Sequence, residues 1–527
     1  MKSPYFTEEH HLFRQSVRQF IETEVRPFAQ QWEKTQEIPR EVFRRMGELG
    51  FLGINFPVKY GGSDVDFFYS VILLIEIGRA GIGGFSAAQG VHQYMSTAHL
   101  LKVGSEELKQ KYLVPAIAGE KVGALAISEP DAGSDVGAIK TRAEKQGEYY
   151  IINGQKTFIT NGFYGDFVTV ACKTNPTAGV NGLSLIVVDR NTPGFTANKL
   201  EKIGWRSSDT GELFFSNVKV PVSNLIGEEN QGFYYIMDSF QLERLVAALG
   251  AIGGAEYCLE TALKYMSERE AFGKPLKKFQ VLRHDIANIA TEIESVKQFA
   301  NHTAWLYEQG EFAVKECSMT KLLASEVGKK TADVCLQCFG GYGYMEEYPI
   351  ARMFRDARAG TIVGGTSQIM REIIAKIVID EVHYDTVYKS KENRRSPEHA
   401  AGTSENKKSI SSKQNNTTAM EQTAAEIIRS LEKRFKSDKA ENFNVNFHFD
   451  IKGDRGGAFT VKIENQTIVV EEGHLGEASC IVRTTDSVYE DVELGRTNPQ
   501  MAVMMGRINI SNLSEMMRFM GLFHRIS

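Results

Sequence analysis

A multidomain α+β fold follows from three changes of pattern along the 527 residues. Helical periodicity gives way to strand-like runs and then returns. A polar stretch follows, and a second, smaller mixed unit closes the chain. Residues 1–120 read as helices, with apolar residues at helical spacing in Leu12, Val17, Phe20 and Ile21, and again in Val71, Leu74, Ile75 and Ile77. Residues 121–230 read as strands: Tyr149 to Ile152, Phe167 to Val170 and Leu183 to Val188, with Asn153-Gly154 taken as turn punctuation. Residues 231–385 return to long helical runs, broken near Gly273-Lys274-Pro275 and Gly340-Gly341.

Residues 386–418 form a linker. From 389 to 418 only Ala400, Ala401 and Ile410 are apolar, too little to offset the entropy of ordering, so disorder is expected. A flexible chain of that length spans roughly 30 Å end to end. Residues 419–527 read as a helix from Ala424 to Phe435, then strands, then a Met-rich helical end.

Composition narrows the function classes. Apolar residues make up 42%, enough for sizeable cores, and 61 basic against 66 acidic residues give a net charge of −5. That balance argues against a broad nucleic-acid surface and leaves room for a local basic patch facing an anionic ligand. No apolar run approaches the roughly 18 residues of a spanning helix, and the N-terminus lacks the apolar core of a signal peptide. The six scattered cysteines point to a reducing, cytoplasmic setting. Cys335 and Cys338 form a lone CxxC with no second pair or nearby histidine, so a thiol pair in a packed helix is expected rather than zinc, and no metal site is assigned.

The chemistry-bearing motifs come in a fixed order. Ser128-Glu129-Pro130-Asp131-Ala132-Gly133-Ser134-Asp135 precedes Asn153-Gly154-Gln155-Lys156 and Phe158-Ile159-Thr160-Asn161-Gly162. Arg269-Glu270-Ala271-Phe272-Gly273, Phe279-Gln280, Phe339-Gly340-Gly341-Tyr342-Gly343 and Gly364-Gly365-Thr366-Ser367 follow. Over residues 1–385 the chain resembles the acyl-CoA dehydrogenases. The resemblance implies a helical domain, a β-barrel-like domain and a four-helix bundle, a homotetramer, and FAD as cofactor. The absence of GxGxxG after a strand agrees with a flavin held outside a Rossmann unit.

The resemblance also implies roles. The main chain of Leu125, Ala126, Ile127 and Ser128 would meet the flavin ring. Gly133 would let the backbone approach phosphate, with Ser134 near the pyrophosphate and substrate. Phe158, Ile159 and Thr160 would pack against and hydrogen-bond to the flavin. Arg269, with Phe272 and Phe279 beside it, would pair with the pyrophosphate of a neighbouring subunit's cofactor. Gln280, Gln337, Cys338, Gly340 and Gly341 would form the far end of that contact, and Thr366 and Gln368 would complete the cofactor shell.

The catalytic base is the informative departure. Most family members carry a glutamate before the Gly-Thr found here at Gly365-Thr366, where this chain has Gly364. Long-chain and isovaleryl-CoA members place their base on an earlier helix in a Glu-Arg-Leu context, which Glu243-Arg244-Leu245 matches. An ordinary Glu243–Arg244 surface pair is the alternative, but adjacent helical residues do not face each other. An unpaired charge in this apolar run is also expensive. Gly364 would donate its N–H to the thioester oxygen, with Gln241, Arg244, Gly365 and Ser134 on the substrate wall. Ala87, Val91 and Met95 share one helical face that in this family floors the acyl pocket, and ordinary core is the competing reading. Medium-to-long straight acyl chains are expected.

Residues 419–527 resemble the sterol carrier protein 2 domain, on Ala478 to Val482, Gly495 to Ala502 and Gly506 to Ile510. That implies a five-stranded sheet flanked by helices and an apolar tunnel for a fatty acyl lipid. Met501, Met504, Met505, Met516, Met517 and Met520 suit either an adaptable lipid surface or ordinary core. Three functions compete: a dehydrogenase passing electrons to an electron-transferring flavoprotein, an acyl-CoA oxidase, and a non-catalytic flavin-binding lipid carrier. A longer second helical domain would mark an oxidase, and Glu243 argues against the inert carrier. Nitroalkane oxidases, with an Asp base, have no matching signature.

Overall fold

The computed structural model describes residues 4–382, 423–437, 440, 443–494, 508–520 and 522–524. The chain divides into two compact units, Met1–Glu398 and His399–Ser527. The expected linker, the stretch Gly495 to Arg507 with Met501, Met504 and Met505, and the side chains of Met517 and Met520 lie outside the described residues.

The first unit opens with helices. Thr7 caps Glu8–Phe20 by accepting from the His10 amide while His10 reaches back to the Thr7 N–H, so two orphan donors are satisfied together. Asp66 caps Phe67–Gly78 through the Phe68 N–H, and that helix is buried on almost every side. Helix Gly83–Gly90 runs into a π-helical stretch, Val91–Ser96, before Thr97–Val103. Wider turns of this kind recur at functional sites.

The middle of the unit is an eight-stranded sheet. Its strands are β1 (Gly123–Ala126), β2 (Arg142–Gln146), β3 (Tyr149–Thr160), β4 (Phe167–Lys173), β5 (Leu183–Asp189), β6 (Phe195–Lys199), β7 (Thr210–Pro221) and β8 (Leu225–Ile226). The order is β6-β7-β3-β2-β4-β5-β8, with β1 parallel to β4. Asn153-Gly154 corrects the expectation of a turn. Both residues lie inside β3, at a register shift against β7 between Ile152 and Gly154. Gly154 has φ +150, and a Cβ there would sit 2.5 Å from Thr141 Oγ1, so the glycine serves a bulge. A second shift between Lys156 and Ile159 contains Phe158, a non-glycine residue at φ +61.

The third part is helical: Gly232–Glu268, Gln280–Glu308, Val314–Phe339, Pro349–Ala357 and Ser367–Val378. The 37 residues of the first helix make it about 55 Å long. The break near Gly273 is a hairpin of β9 (Glu270–Ala271) and β10 (Lys274–Pro275), whose turn residues Phe272 and Gly273 both have positive φ. Cys335 and Cys338 are buried within helix Val314–Phe339, as the packed-helix reading expects.

In the second unit, helices Ala424–Arg429 and Leu431–Arg434 precede five strands: β11 (Val445–Lys452), β12 (Gly457–Glu464), β13 (Thr467–Glu472), β14 (Cys480–Thr485) and β15 (Asn509–Ile510). Their order is β13-β12-β11-β14-β15, with β11 and β14 parallel. Alternate residues Phe447, Phe449 and Ile451 of β11 and Phe459, Val461 and Ile463 of β12 turn inward. They pack against Ile427, Ile428, Met516 and Phe519. Met516 is therefore core.

Candidate active site

A cavity of about 420 Å³ opens in the first unit. One wall is β structure: Leu125, Ile127, Ser128, Phe158, Ile159 and Thr160, with Gly133 and Ser134 from the loop after β1. Ala87, Val91 and Met95 line another wall, so the face predicted from their spacing does meet the cavity. The long helix contributes Phe240, Glu243, Arg244 and Ala247 and continues through Gly250, Ala251, Gly254 and Ala255 to Cys258. Gly364 and Gly365 close the far side.

Glu243 is 7% exposed, and its Oε1 has no hydrogen-bond partner among the described residues. Burial pushes its carboxyl up to about 8, against an opposing pull from Arg244. Arg244 is also buried, donates to Ser318 Oγ at 3.3 Å and lies over the Phe240 ring. The surface-pair alternative is thereby removed. A buried carboxylate of raised basicity, open to a cavity, can accept a proton from a weak carbon acid.

The β wall is braced by a buried ion pair that motif reading did not single out. Lys156 Nζ lies 2.9 Å from Glu129 Oε1 and donates to the Ile127 carbonyl at 2.8 Å. Glu129 also accepts from the Lys140 and Thr141 amides. Burial pushes the Glu129 carboxyl up, but Lys156 and these hydrogen bonds outweigh it and hold the group below its ordinary value. Burial lowers Lys156 in turn. The two motifs containing these residues are thus tied together behind Ile127, a residue of the cavity wall.

Gly364 and Gly365 are consecutive left-handed residues, φ +61 and +92, and Gly364 has open space where a Cβ would stand. Thr366 caps Ser367–Val378 by accepting from the Ile369 amide. Asp356, also missed in the sequence, lines the cavity and accepts from the Gly83 and Trp205 amides, and burial, then Glu33, raises its carboxyl to about 6.

Several expected site residues do not reach the cavity. The Ala126 side chain turns into the sheet core because alternate β1 residues face opposite ways, while the contact expected of this residue is through its main chain. Gln241 is buried on the long helix, off the face that carries Glu243 and Ala247. Arg269 lies over the Tyr342 ring beside Gly340 and Gly341, while Phe272 packs edge-on to Phe279 in the hairpin region. Gln280, Gln337, Gly340, Gly341 and Gln368 are exposed. Cys338 is buried, with its thiol turned to the Val334 carbonyl of its own helix.

Residues 7–120, 124–218 and 230–379 match the family descriptions for the N-terminal, middle and C-terminal domains of acyl-CoA dehydrogenase. The chain belongs to the acyl-CoA dehydrogenase family. It is 39% identical over 379 residues to the long-chain specific acyl-CoA dehydrogenase, mitochondrial, of Sus scrofa, covering 71% of this chain and 88% of that protein. The solved acyl-CoA dehydrogenase from Geobacillus kaustophilus matches with TM-score 0.70 and 44% identity, over 72% of this chain and all of that one. A chain of the structure of the electron transferring flavoprotein of Acidaminococcus fermentans matches at TM-score 0.70 and 34% identity, over 72% of this chain and 100% of that one. Residues 426–524 match the SCP-2 sterol transfer family.

This acyl-CoA dehydrogenase is an FAD-dependent enzyme acting on acyl-CoA thioesters, with a C-terminal lipid-binding domain. The cavity fits the cofactor. The Phe158 ring lines it yet is 73% exposed, an uncovered aromatic face suited to a planar ring system. Positions 133 and 364 are open on their Cβ sides, so backbone can be approached closely. The Phe158 to Thr160 segment and the Leu125 to Ser128 edge are the residues that would hold the ring. Among the described residues, no helix is long and apolar enough to cross a membrane.

Proposed function

We propose that Glu243 is the base that removes the α-proton of medium-to-long straight-chain acyl-CoA thioesters, giving trans-2-enoyl-CoA. The observation that carries this is a buried carboxylate of raised basicity in the same cavity as a glycine at position 364. Bound FAD supplies the acceptor for the hydride that leaves the β-carbon. Glu243 takes the α-proton, and the Gly364 N–H donates to the thioester oxygen, where negative charge develops. The Arg244 charge partly offsets the cost of ionising the buried carboxyl.

The long helix supports the chain-length reading. From Glu243 to Cys258 the cavity tracks small residues for about 22 Å, a reach that suits a long unbranched tail, and Ala87 adds room opposite. Electrons pass to an electron-transferring flavoprotein, a reading supported by the likeness to the Acidaminococcus chain. Arg269, Gln280, Gln337, Gly340 and Gly341 lie outside the cavity, which suits a cofactor contact across subunits of a homotetramer. Six free, buried cysteines suit the cytoplasm. The tethered C-terminal domain raises the local concentration of fatty acyl ligand.

The test is anaerobic flavin reduction against a series of straight, branched and aromatic acyl-CoA thioesters, followed by reoxidation with a dye or with oxygen. Straight chains of medium and long length should reduce the flavin fastest, and the dye should outpace oxygen. Peroxide formed as fast as dye is reduced identifies an oxidase, and preference for branched or aromatic thioesters refutes the chain-length assignment.

The basicity of Glu243 sets a pH dependence. Only the ionised carboxylate accepts the proton, so kcat/KM, which reports the free enzyme, should rise with pH through about 8. A profile flat from roughly pH 6 to 9 contradicts a base with that ionisation.

A further inference from the structure

Lys321, on helix Val314–Phe339, lines the same cavity, though its side chain is 1% exposed. Among the described residues it forms no ion pair with any carboxylate. Its ammonium donates instead to the Gly365 carbonyl at 2.5 Å. Burial lowers its pKa to about 8, and the nearby Arg244 guanidinium adds to that effect. Burying an ammonium against a neutral carbonyl is costly, so its placement calls for a compensating role.

The turn that it grips is unusual. Gly364 and Gly365 are both left-handed, and a Cβ on Gly365 would stand 2.5 Å from the Met370 methyl carbon. From the far side, the Thr366 side chain anchors the following helix. Lys321 and Thr366 thus pin the two ends of a turn whose first residue faces open cavity. Without the lysine contact the Gly365 peptide is free to rotate, because glycine populates both signs of φ readily. The Gly365 carbonyl lies in the Gly365–Thr366 peptide and the Gly364 N–H in the Val363–Gly364 peptide, so the contact acts on that N–H through the dihedral angles of both glycines, which drift once the turn is no longer held.

We propose that Lys321 is a positioning residue. Through the Gly365 carbonyl it holds the Gly364–Gly365 turn so that the Gly364 N–H points at the thioester oxygen, and it places positive charge at the end of the cavity where that oxygen becomes negative. The inference rests on the reading of Glu243 and Gly364 given above. It predicts that Lys321 acts on α-proton removal and leaves thioester affinity alone, since the neutral thioester gains little from the added charge.

The test uses full-length, FAD-loaded Lys321→Met and Lys321→Arg with a long-chain 3-thiaacyl-CoA. This probe can lose its α-proton but cannot give up a hydride, and its bound anion against oxidised flavin is read as a long-wavelength absorption band. Per bound flavin, Lys321→Met should lose about tenfold or more of the anion band and of kcat, below the 10²–10³ of an outright oxyanion-donor loss. KM for the thioester substrate should stay within about threefold of wild type, as expected when only the reacting state is affected, while probe affinity falls together with the band because the bound anion contributes to it. Lys321→Arg, which keeps a buried cation and donor, should recover part of both. A band and kcat per bound flavin unchanged in Lys321→Met overturn the proposal, as does a loss confined to flavin content or thermal stability. Wild-type protein that binds FAD and the probe but forms no band refutes the Glu243 and Gly364 reading itself, and this proposal with it. A wild-type band that survives in Lys321→Met refutes this proposal alone.

Discussion

Glu243→Gln should lower turnover by about 10²–10⁴ while FAD content and thioester binding persist. Glutamine preserves shape and removes only the capacity to accept the α-proton. The native carboxylate is buried with one oxygen lacking a partner, so the neutral amide should be tolerated by the fold. Steady-state kinetics with a dye acceptor, together with flavin content by absorbance, separate the two effects. Adding Gly364→Glu should return part of the activity, since position 364 opens onto the cavity. The return should be incomplete, because a non-glycine residue at φ +61 costs about 1 kcal/mol or more. Near-normal turnover of Glu243→Gln removes it as the base and sends the search to another carboxylate near Gly364.

Lys156→Met should cost about 3–5 kcal/mol of stability by leaving Glu129 buried without its counter-charge. The loss should appear as an earlier denaturation midpoint and as weaker flavin retention, because Lys156 also holds the Ile127 carbonyl on the cavity wall. Glu129→Gln combined with Lys156→Met should recover much of the lost stability, since neither charge then remains buried. An unchanged midpoint in Lys156→Met would show that Glu129 is satisfied by the Lys140 and Thr141 amides alone.

What was legible in the sequence was what depends on local pattern or on motif. The alternation Leu125, Ala126, Ile127 is legible as period two, which sends the Ala126 side chain into the sheet core and its neighbours to the cavity wall. Ala87, Val91 and Met95 were legible as one face because helical spacing is local, and they meet the cavity even though the helix widens to π-helical turns from Val91. Glu243 stood out because Glu243-Arg244-Leu245 resembles the context in which long-chain and isovaleryl-CoA members carry their base, and because a charge in an apolar helical run needs a reason. Asn153-Gly154 misled because the dipeptide favours turns, and only pairing with β7, some 60 residues on, reveals a bulge.

Lys321 and Asp356 left no local signal. Lys321 meets a carbonyl 44 residues away, and Asp356 joins backbone amides 151 and 273 residues distant. Glu129 and Lys156 lay within quoted motifs, but a Glu and a Lys 27 positions apart declare no contact until β1 and β3 are placed. Arg269 shows the converse limit. Its expected role lies across a subunit boundary, and within one chain it lies over Tyr342 and away from the cavity.

The central claim is that this acyl-CoA dehydrogenase carries its base on the long helix at Glu243. The most direct measurement is single-turnover bleaching of the flavin when FAD-loaded enzyme meets a long-chain acyl-CoA without oxygen. It isolates proton and hydride removal from product release and from the electron acceptor. Wild type should bleach in one fast phase, Glu243→Gln should bleach at least about 10²-fold more slowly with the same bound FAD, and Glu243→Gln with Gly364→Glu should fall between them. Bleaching of Glu243→Gln at the wild-type rate would contradict the account.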